Sequence, residues 1–409
     1  MSDSAASPSG YLSHRDIIVV SLSDWDGPRR IRHYLTQELL KKGNRVLFLE
    51  ANFSLVKLFK TWNWERAFRF RLGTREAKPN LFLLAAPPFI PGGEFSAMVS
   101  RLNWSLARRA LRTAVGKLGF RDPILWIYAF NASSLVGTFN EDLALYLCND
   151  PFAALNDRPF LQRRIRRLER ELLRKVDVTV TVSERLTDDH RDFTRRISTI
   201  HHGVDISLFD RALAGSPRVP ADLAGVSQPL IGYCGVIRYT IDLDLVEEVA
   251  RARPGWSLVF VGPVTESASS FYRRVEEVKR LANVRFLGAR PPEEVPLYLN
   301  AFDVCMLPYA GGTIASYFSL PLKFYEYLAA GKPVVWTIGA RPFPGHVVLN
   351  AGSTSEFIRA VERALAMKDE RYVLERKRLA RENSWAHRAD EVSEILRRVA
   401  DEKARGQEK

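Results

Sequence analysis

Along this chain, short apolar runs alternate with longer amphipathic stretches of helical period, and the alternation appears twice. Ile17 to Ser21 is an apolar run closed by Ser23, Asp24, Asp26, Gly27 and Pro28. A helix-like stretch follows to Lys42, Gly43 and Asn44 end it, and Arg45 to Glu50 is the next run. In one sheet, such a strand–helix–strand unit implies parallel strands and a right-handed crossover. Ile124 to Tyr128, Ala144 to Cys148 and Val178 to Val182 extend the pattern. The first half therefore reads as a doubly wound sheet.

Ala214 to Pro229, rich in Pro, Gly, Ala and Ser, interrupts this and is the expected linker. The pattern then restarts with strands at Leu230–Cys234, Ser257–Val261, Val284–Phe286, Val304–Pro308 and Val334–Thr337. Helical stretches fall at Ile241–Arg251, Phe271–Leu281, Pro292–Asn300 and Pro321–Ala330, with more at Ser355–Met367, Arg371–Arg381 and beyond Ser384. The expected organisation is a disordered lead over 1–14, a domain over 15–213, a linker over 214–229, a domain over 230–381 and a final helix over 382–409. The fold class is α/β.

With 409 residues, 46% of them hydrophobic, the chain can bury more than one core. The most apolar stretch, Leu81 to Ile90, is too short to span a bilayer and is broken by Pro87 and Pro88. Residues 1–16 lack the basic start and apolar core of a secretory signal. Cys148, Cys234 and Cys305 lie far apart, which suits a reducing cytoplasm and gives no zinc-type spacing. The net charge of +13 is uneven: residues 1–200 carry 32 Lys+Arg against 21 Asp+Glu. A basic first half suits a polyanionic partner, either an anionic membrane surface or nucleic acid.

The segment Pro321 to Val335, PLKFYEYLAAGKPVV, carries the chemistry. Lys323 and Glu326, three apart, share one helical face, and Gly331 suits a left-handed cap. A cation beside a carboxylate fits a phosphorylated sugar, the cation meeting phosphate and the carboxylate meeting ribose hydroxyls. The plainer alternative is a surface salt bridge.

This segment resembles the donor-binding helix of group 1, family-4-like glycosyltransferases. IGYCGVIR at 231–238, VFVGP at 259–263 and the region 284–309 resemble that family's donor domain, in the same order. Tyr146 to Asp150, Val180 to Ser183 and His202 to Asp205 with Phe209 resemble the first domain of bacterial exopolysaccharide and teichuronic-acid-type transferases. Xanthan-type glucuronosyltransferases are a related family. The resemblance implies the GT-B fold: two Rossmann-like doubly wound domains facing a cleft, with a C-terminal helix closing back on the first. It also implies a nucleotide-sugar-dependent hexosyltransferase, with a UDP-sugar donor and a saccharide or lipid-linked acceptor. Two departures stand out. The position eight before Glu326 is Phe318, where many members carry a first glutamate, and no Lys follows Arg238.

Arg238 follows a strand and a glycine, where α/β sheets bind ligands. With Lys323 it would neutralise the diphosphate leaving group, in place of a metal, since no D-x-D cluster stands in a suitable loop. Gly235 and Gly262 would let a ligand approach the backbone. Asp150, at the end of a first-half strand, is the candidate base for an inverting transfer, a positioning residue for a retaining one, or simply a helix N-cap. Asp24, Gly27 and His202 are acceptor-side candidates, beside a structural-loop reading for His202. No metal or other cofactor is expected. The basic, aromatic stretch Lys57 to Arg71 and the helix Leu161 to Lys175 suit the headgroup level of an anionic bilayer. The expected location is thus cytoplasmic, peripheral on the inner membrane face. The rival classes are a nucleic-acid-binding protein, for which no reader motif is present, and an epimerase of the same fold.

Overall fold

The computed structural model describes residues 10–407, apart from 22, 51–72, 88, 94, 216–217, 266–268, 312–320 and 339–342. The stretch Lys57 to Arg71, Phe318 and most of the expected N-terminal lead lie outside the described residues. Among those described, no helix is long and apolar enough to cross a membrane.

The chain divides into two compact units, residues 1–201 with 385–409, and residues 202–384. The first is built on an eight-stranded sheet. Its strands are β1 (Asp16–Val20), β2 (Arg45–Leu49), β3 (Thr74–Lys78), β4 (Leu81–Leu84), β5 (Ile124–Ile127), β6 (Leu143–Cys148), β7 (Val178–Thr181) and β8 (Ile197–Thr199), in the order β3-β4-β2-β1-β5-β6-β7-β8. All pairings are parallel except β3 with β4. Every residue of β5, β6 and β7 is buried, as expected for strands covered on both faces.

The second unit holds a six-stranded, all-parallel sheet: β9 (Leu230–Cys234), β10 (Ser257–Val261), β11 (Val284–Gly288), β12 (Val304–Leu307), β13 (Val334–Trp336) and β14 (Val348–Asn350), in the order β11-β10-β9-β12-β13-β14. In each sheet the first strand has later strands on both sides, so the winding reverses between β1 and β5 and between β9 and β12. At such reversals the loops part at the carboxyl edge and leave room for a ligand.

The Pro- and Gly-rich stretch 214–229 does not separate the two units. The division follows His201, and residues 202–229, including the helix Ile206–Ala212, belong to the second unit. Phe209 and Leu223 anchor that segment in the second core. The last helix, Trp385–Gln407, returns to the first unit. Trp385 stacks on Tyr34 at 5.2 Å between ring centroids, the Ser393 hydroxyl accepts from the Leu12 amide at 2.9 Å, and Arg196 pairs with Glu402 at 2.7 Å.

Candidate active site

At the carboxyl end of β9 the chain turns through Gly235, with φ +142°, a region open to glycine. A Cβ there would lie 2.6 Å from the Lys323 ammonium, so a side chain at this position would push the lysine aside. Gly262, with φ +144° at the end of β10, is nested against it, and a Cβ there would lie 2.0 Å from the Gly235 carbonyl oxygen. The Gly235 amide donates to Val261 and the Gly262 amide to Gly288, each at 2.8 Å, which holds the two loops in place.

Lys323 sits in the first turn of the helix Leu322–Ala329. It turns to the Tyr233 hydroxyl at 2.5 Å, not to Glu326 as a surface salt bridge would. Its ammonium also lies 4.4 Å from the Tyr233 ring centroid and 5.8 Å from that of Tyr309. Arg238 is exposed on the loop after β9, and its charge acts on the hydroxyls of the same two tyrosines. Both cations thus act on the same pair of tyrosines, and Lys323 is the one in contact with them.

Glu326 is one turn beyond Lys323. Enclosure by protein pushes its carboxyl up to about 7, against the opposing pull of Lys323. Next to it, the Tyr327 hydroxyl accepts from the Cys234 amide at 2.9 Å and fastens the helix to the strand end. The structure thus brings Gly235, Arg238, Gly262, Lys323 and Glu326 into one neighbourhood. Tyr233, Tyr309 and Tyr327 were not anticipated, because in sequence they read as ordinary core positions.

The first unit has its own polar group at its carboxyl edge. Asp150 follows β6, and Asn149 donates to its carboxylate. It caps no helix: the next one, Pro159–Leu173, begins after Arg158. Arg32, buried in the helix Ile31–Lys41, lies over the Tyr128 ring at 5.3 Å. Burial lowers its pKa, while Tyr128 and Asp150 oppose that. Its Nε has no hydrogen-bond partner among the described residues. A buried guanidinium beside Asp150 was missed in the sequence, where Arg32 is one of several arginines opening a helix.

His33 carries the link to Asp24. Burial lowers its pKa to about 4, so it stays neutral, and its Nδ1 accepts from the Arg30 amide at 3.0 Å. The Nε2–H is then left to donate to the Asp24 carbonyl at 2.9 Å. Asp26 pairs with Arg75 at 3.1 Å, and Gly27 closes a turn onto the Asp24 carbonyl at 3.2 Å. His202, the further acceptor-side candidate, is the first residue of the second unit.

One group among the described residues brings metal-ligating atoms together: Cys148, Glu169 and His190, all buried. His190 Nε2 is 3.2 Å from Glu169 Oε1, to which the Tyr146 hydroxyl donates at 2.6 Å. Burial disfavours the charged ring, but Cys148 and Glu169 outweigh it and raise the His190 pKa to about 11. The three side chains thus hold one another by close polar contacts beside the end of β6.

Comparison with known proteins gives this geometry its context. Residues 228–367 match the family described as Glycosyl transferases group 1, a span that includes Gly235, Arg238, Gly262, Lys323 and Glu326. The chain is a nucleotide-sugar-dependent glycosyltransferase. Over 283 residues it is 29% identical to TuaH of Bacillus subtilis (strain 168), named for teichuronic acid biosynthesis, covering 64% of this chain and 68% of that one. Its architecture is that of the GT-B glycosyltransferases. Anabaena HepE, solved with UDP-glucose, shares the fold at a TM-score of 0.62 and 13% identity, over 94% of this chain and 99% of that one. An Escherichia coli trehalose-6-phosphate protein bound to UDP-2-fluoro glucose does so at 0.66 and 14%, again over 94% and 99%.

Proposed function

We propose that this glycosyltransferase takes its sugar from a UDP-sugar and adds it to a hydroxyl of a saccharide acceptor in cell-surface polysaccharide synthesis. The observation that carries this reading is the Lys323 ammonium seated over Gly235 at the winding reversal of the second sheet, with Glu326 one helical turn along. Lys323 and Arg238 hold the diphosphate and stabilise the charge that grows on it as the glycosidic bond breaks. No metal is required for that step. Glu326, as a carboxylate, accepts hydrogen bonds from the ribose hydroxyls. Gly235 and Gly262 let the diphosphate reach the backbone. In the first unit, Asp150 takes the proton of the attacking hydroxyl if the transfer inverts, and positions that hydroxyl if it retains. UDP as the carrier is supported by the UDP-sugar complexes of the structural neighbours, and the polysaccharide role by the teichuronic acid relative.

Thermal-shift titration with UDP, GDP and ADP tests the donor site. UDP is expected to raise the melting temperature most. Lys323→Met should abolish the shift, and Glu326→Gln should weaken UDP binding about tenfold, in line with the roughly 1.5–3 kcal/mol of a hydrogen bond to a charged group. A folded wild-type protein that responds to no nucleoside diphosphate would end this reading.

A further inference from the structure

The carboxyl edge of the first sheet opens into a cavity of about 640 Å³. That is within the roughly 300–1,000 Å³ of small-molecule sites. Ser21 and Leu49, just after β1 and at the end of β2, form part of its wall. Most of the rest is apolar, led by Trp104, Phe130, Phe152, Leu161, Ile165 and Leu168. Phe152 is two residues from Asp150 and donates its amide to the Asp150 carbonyl at 2.9 Å. The cavity thus begins beside the candidate base.

Apolar surface continues outside it. Six of the eleven large hydrophobic residues described as exposed are Phe95, Met98, Leu102, Leu106, Leu155 and Phe160. Phe95 and Leu155 also line the cavity, and Phe95 stacks on Phe160 at 5.9 Å. Such a concentration is unusual on a soluble surface.

The charge around it has one sign. The helix Ala97–Leu118 carries four arginines and a lysine with no acidic residue. The helix Pro159–Leu173 carries five arginines, and one of its two glutamates, Glu169, is buried with His190. Arg158 and Arg164 line the cavity itself. Arg164 is held by the carbonyls of Gly93 at 3.0 Å and Phe95 at 3.3 Å, yet its buried Nε has no partner among the described residues. An apolar hole with two guanidinium groups in its wall is suited to a long hydrocarbon joined to an anion.

We propose that this cavity takes the hydrocarbon chain of a phosphate-bearing lipid acceptor, with Arg158 and Arg164 meeting the phosphate. This rests on the transfer reading above and names its acceptor class: a saccharide borne on a lipid phosphate, its hydroxyl delivered to Asp150. The exposed apolar ring and the basic helices then face an anionic bilayer from which the lipid is drawn.

Displacement of a fluorescent dodecyl phosphate from the full chain, below its micelle concentration, tests this. Dodecyl phosphate should compete at least tenfold better than dodecanol, and inorganic phosphate should not compete. Ile165→Trp, or Leu161→Trp if the first does not fold, fills the cavity and should weaken the probe at least tenfold while the UDP thermal shift is retained. Arg158→Gln should narrow the gap between phosphate and alcohol. Absence of saturable probe binding to the folded wild type overturns the proposal. So does equal competition by inorganic phosphate, or binding indifferent to both tryptophan variants. Sedimentation as a dimer that Met98→Glu dissociates would assign the apolar ring to a second copy, and overturn it as well. Probe binding and the UDP shift are read separately: loss of the shift alone defeats the donor site and not the cavity.

Discussion

The carboxyl edges of the two sheets are made of opposite materials. In the second unit the edge is pared down to backbone, with two left-handed glycines nested against each other and one lysine laid across them. In the first it is crowded with side chains, Phe130, Asn131, Phe152 and Asn156 among them, around a largely apolar hole. A diphosphate is small, flat in its demands and the same for every donor, so backbone and two cations suffice. An acceptor differs between enzymes and must be met by side chains. On the proposed reading, one edge meets a constant ligand and the other a variable one.

The contrast can be broken in three ways. The largest effect belongs to Asp150→Asn. If the crowded edge supplies the base, kcat falls by about 10²–10⁴-fold, the usual range for a general base, with UDP binding unchanged. A retaining transfer predicts a much smaller fall with a raised KM for the acceptor, and product stereochemistry by NMR separates the cases. Next is Gly262→Ala. The added Cβ meets the Gly235 carbonyl in a backbone region costly to side chains, so about 1–3 kcal/mol of stability and the UDP shift should go together. An unaltered shift would mean that the glycines serve the turn and not the ligand. The smallest effect concerns His190. Its folded pKa of about 11 lies above the unfolded value near 6.5, so its contribution to stability is fully present below about pH 6.5 and declines as the pH rises toward 11. His190→Asn should flatten that decline in denaturant melts without moving UDP binding, because His190 belongs to the first unit and the proposed donor site to the second.

The same contrast explains what could be read in the sequence. Gly235, Arg238, Gly262, Lys323 and Glu326 were nameable because each is tied to a strand end or a helical turn by fixed local spacing. Arg32 and the cavity wall were not, because they depend on elements more than a hundred residues apart that meet only through the sheet order. Strands covered on both faces, such as β5 to β7, announce themselves as unbroken apolar runs. Three of the four edge strands do not: β3 (TREAK) is mostly exposed, and β8 and β14 are three residues each, so neither pattern nor length marked them, whereas the fourth, β11, was legible from Val284 to Phe286. The unit boundary was misplaced for a related reason. Proline and glycine in 214–229 signalled a linker, but Leu223 and Phe209 bury themselves in the second core, and burial outweighs composition.

The return of the last helix to the first unit has a consequence for synthesis. The second unit is an insertion, finished on the ribosome before the first has received Trp385 to Gln407. Until those residues emerge, Tyr34 lacks its stacking ring, the Leu12 amide its acceptor and Arg196 its carboxylate. A chain released early therefore carries a complete second unit and a first unit left open along one helix, where a protease can enter.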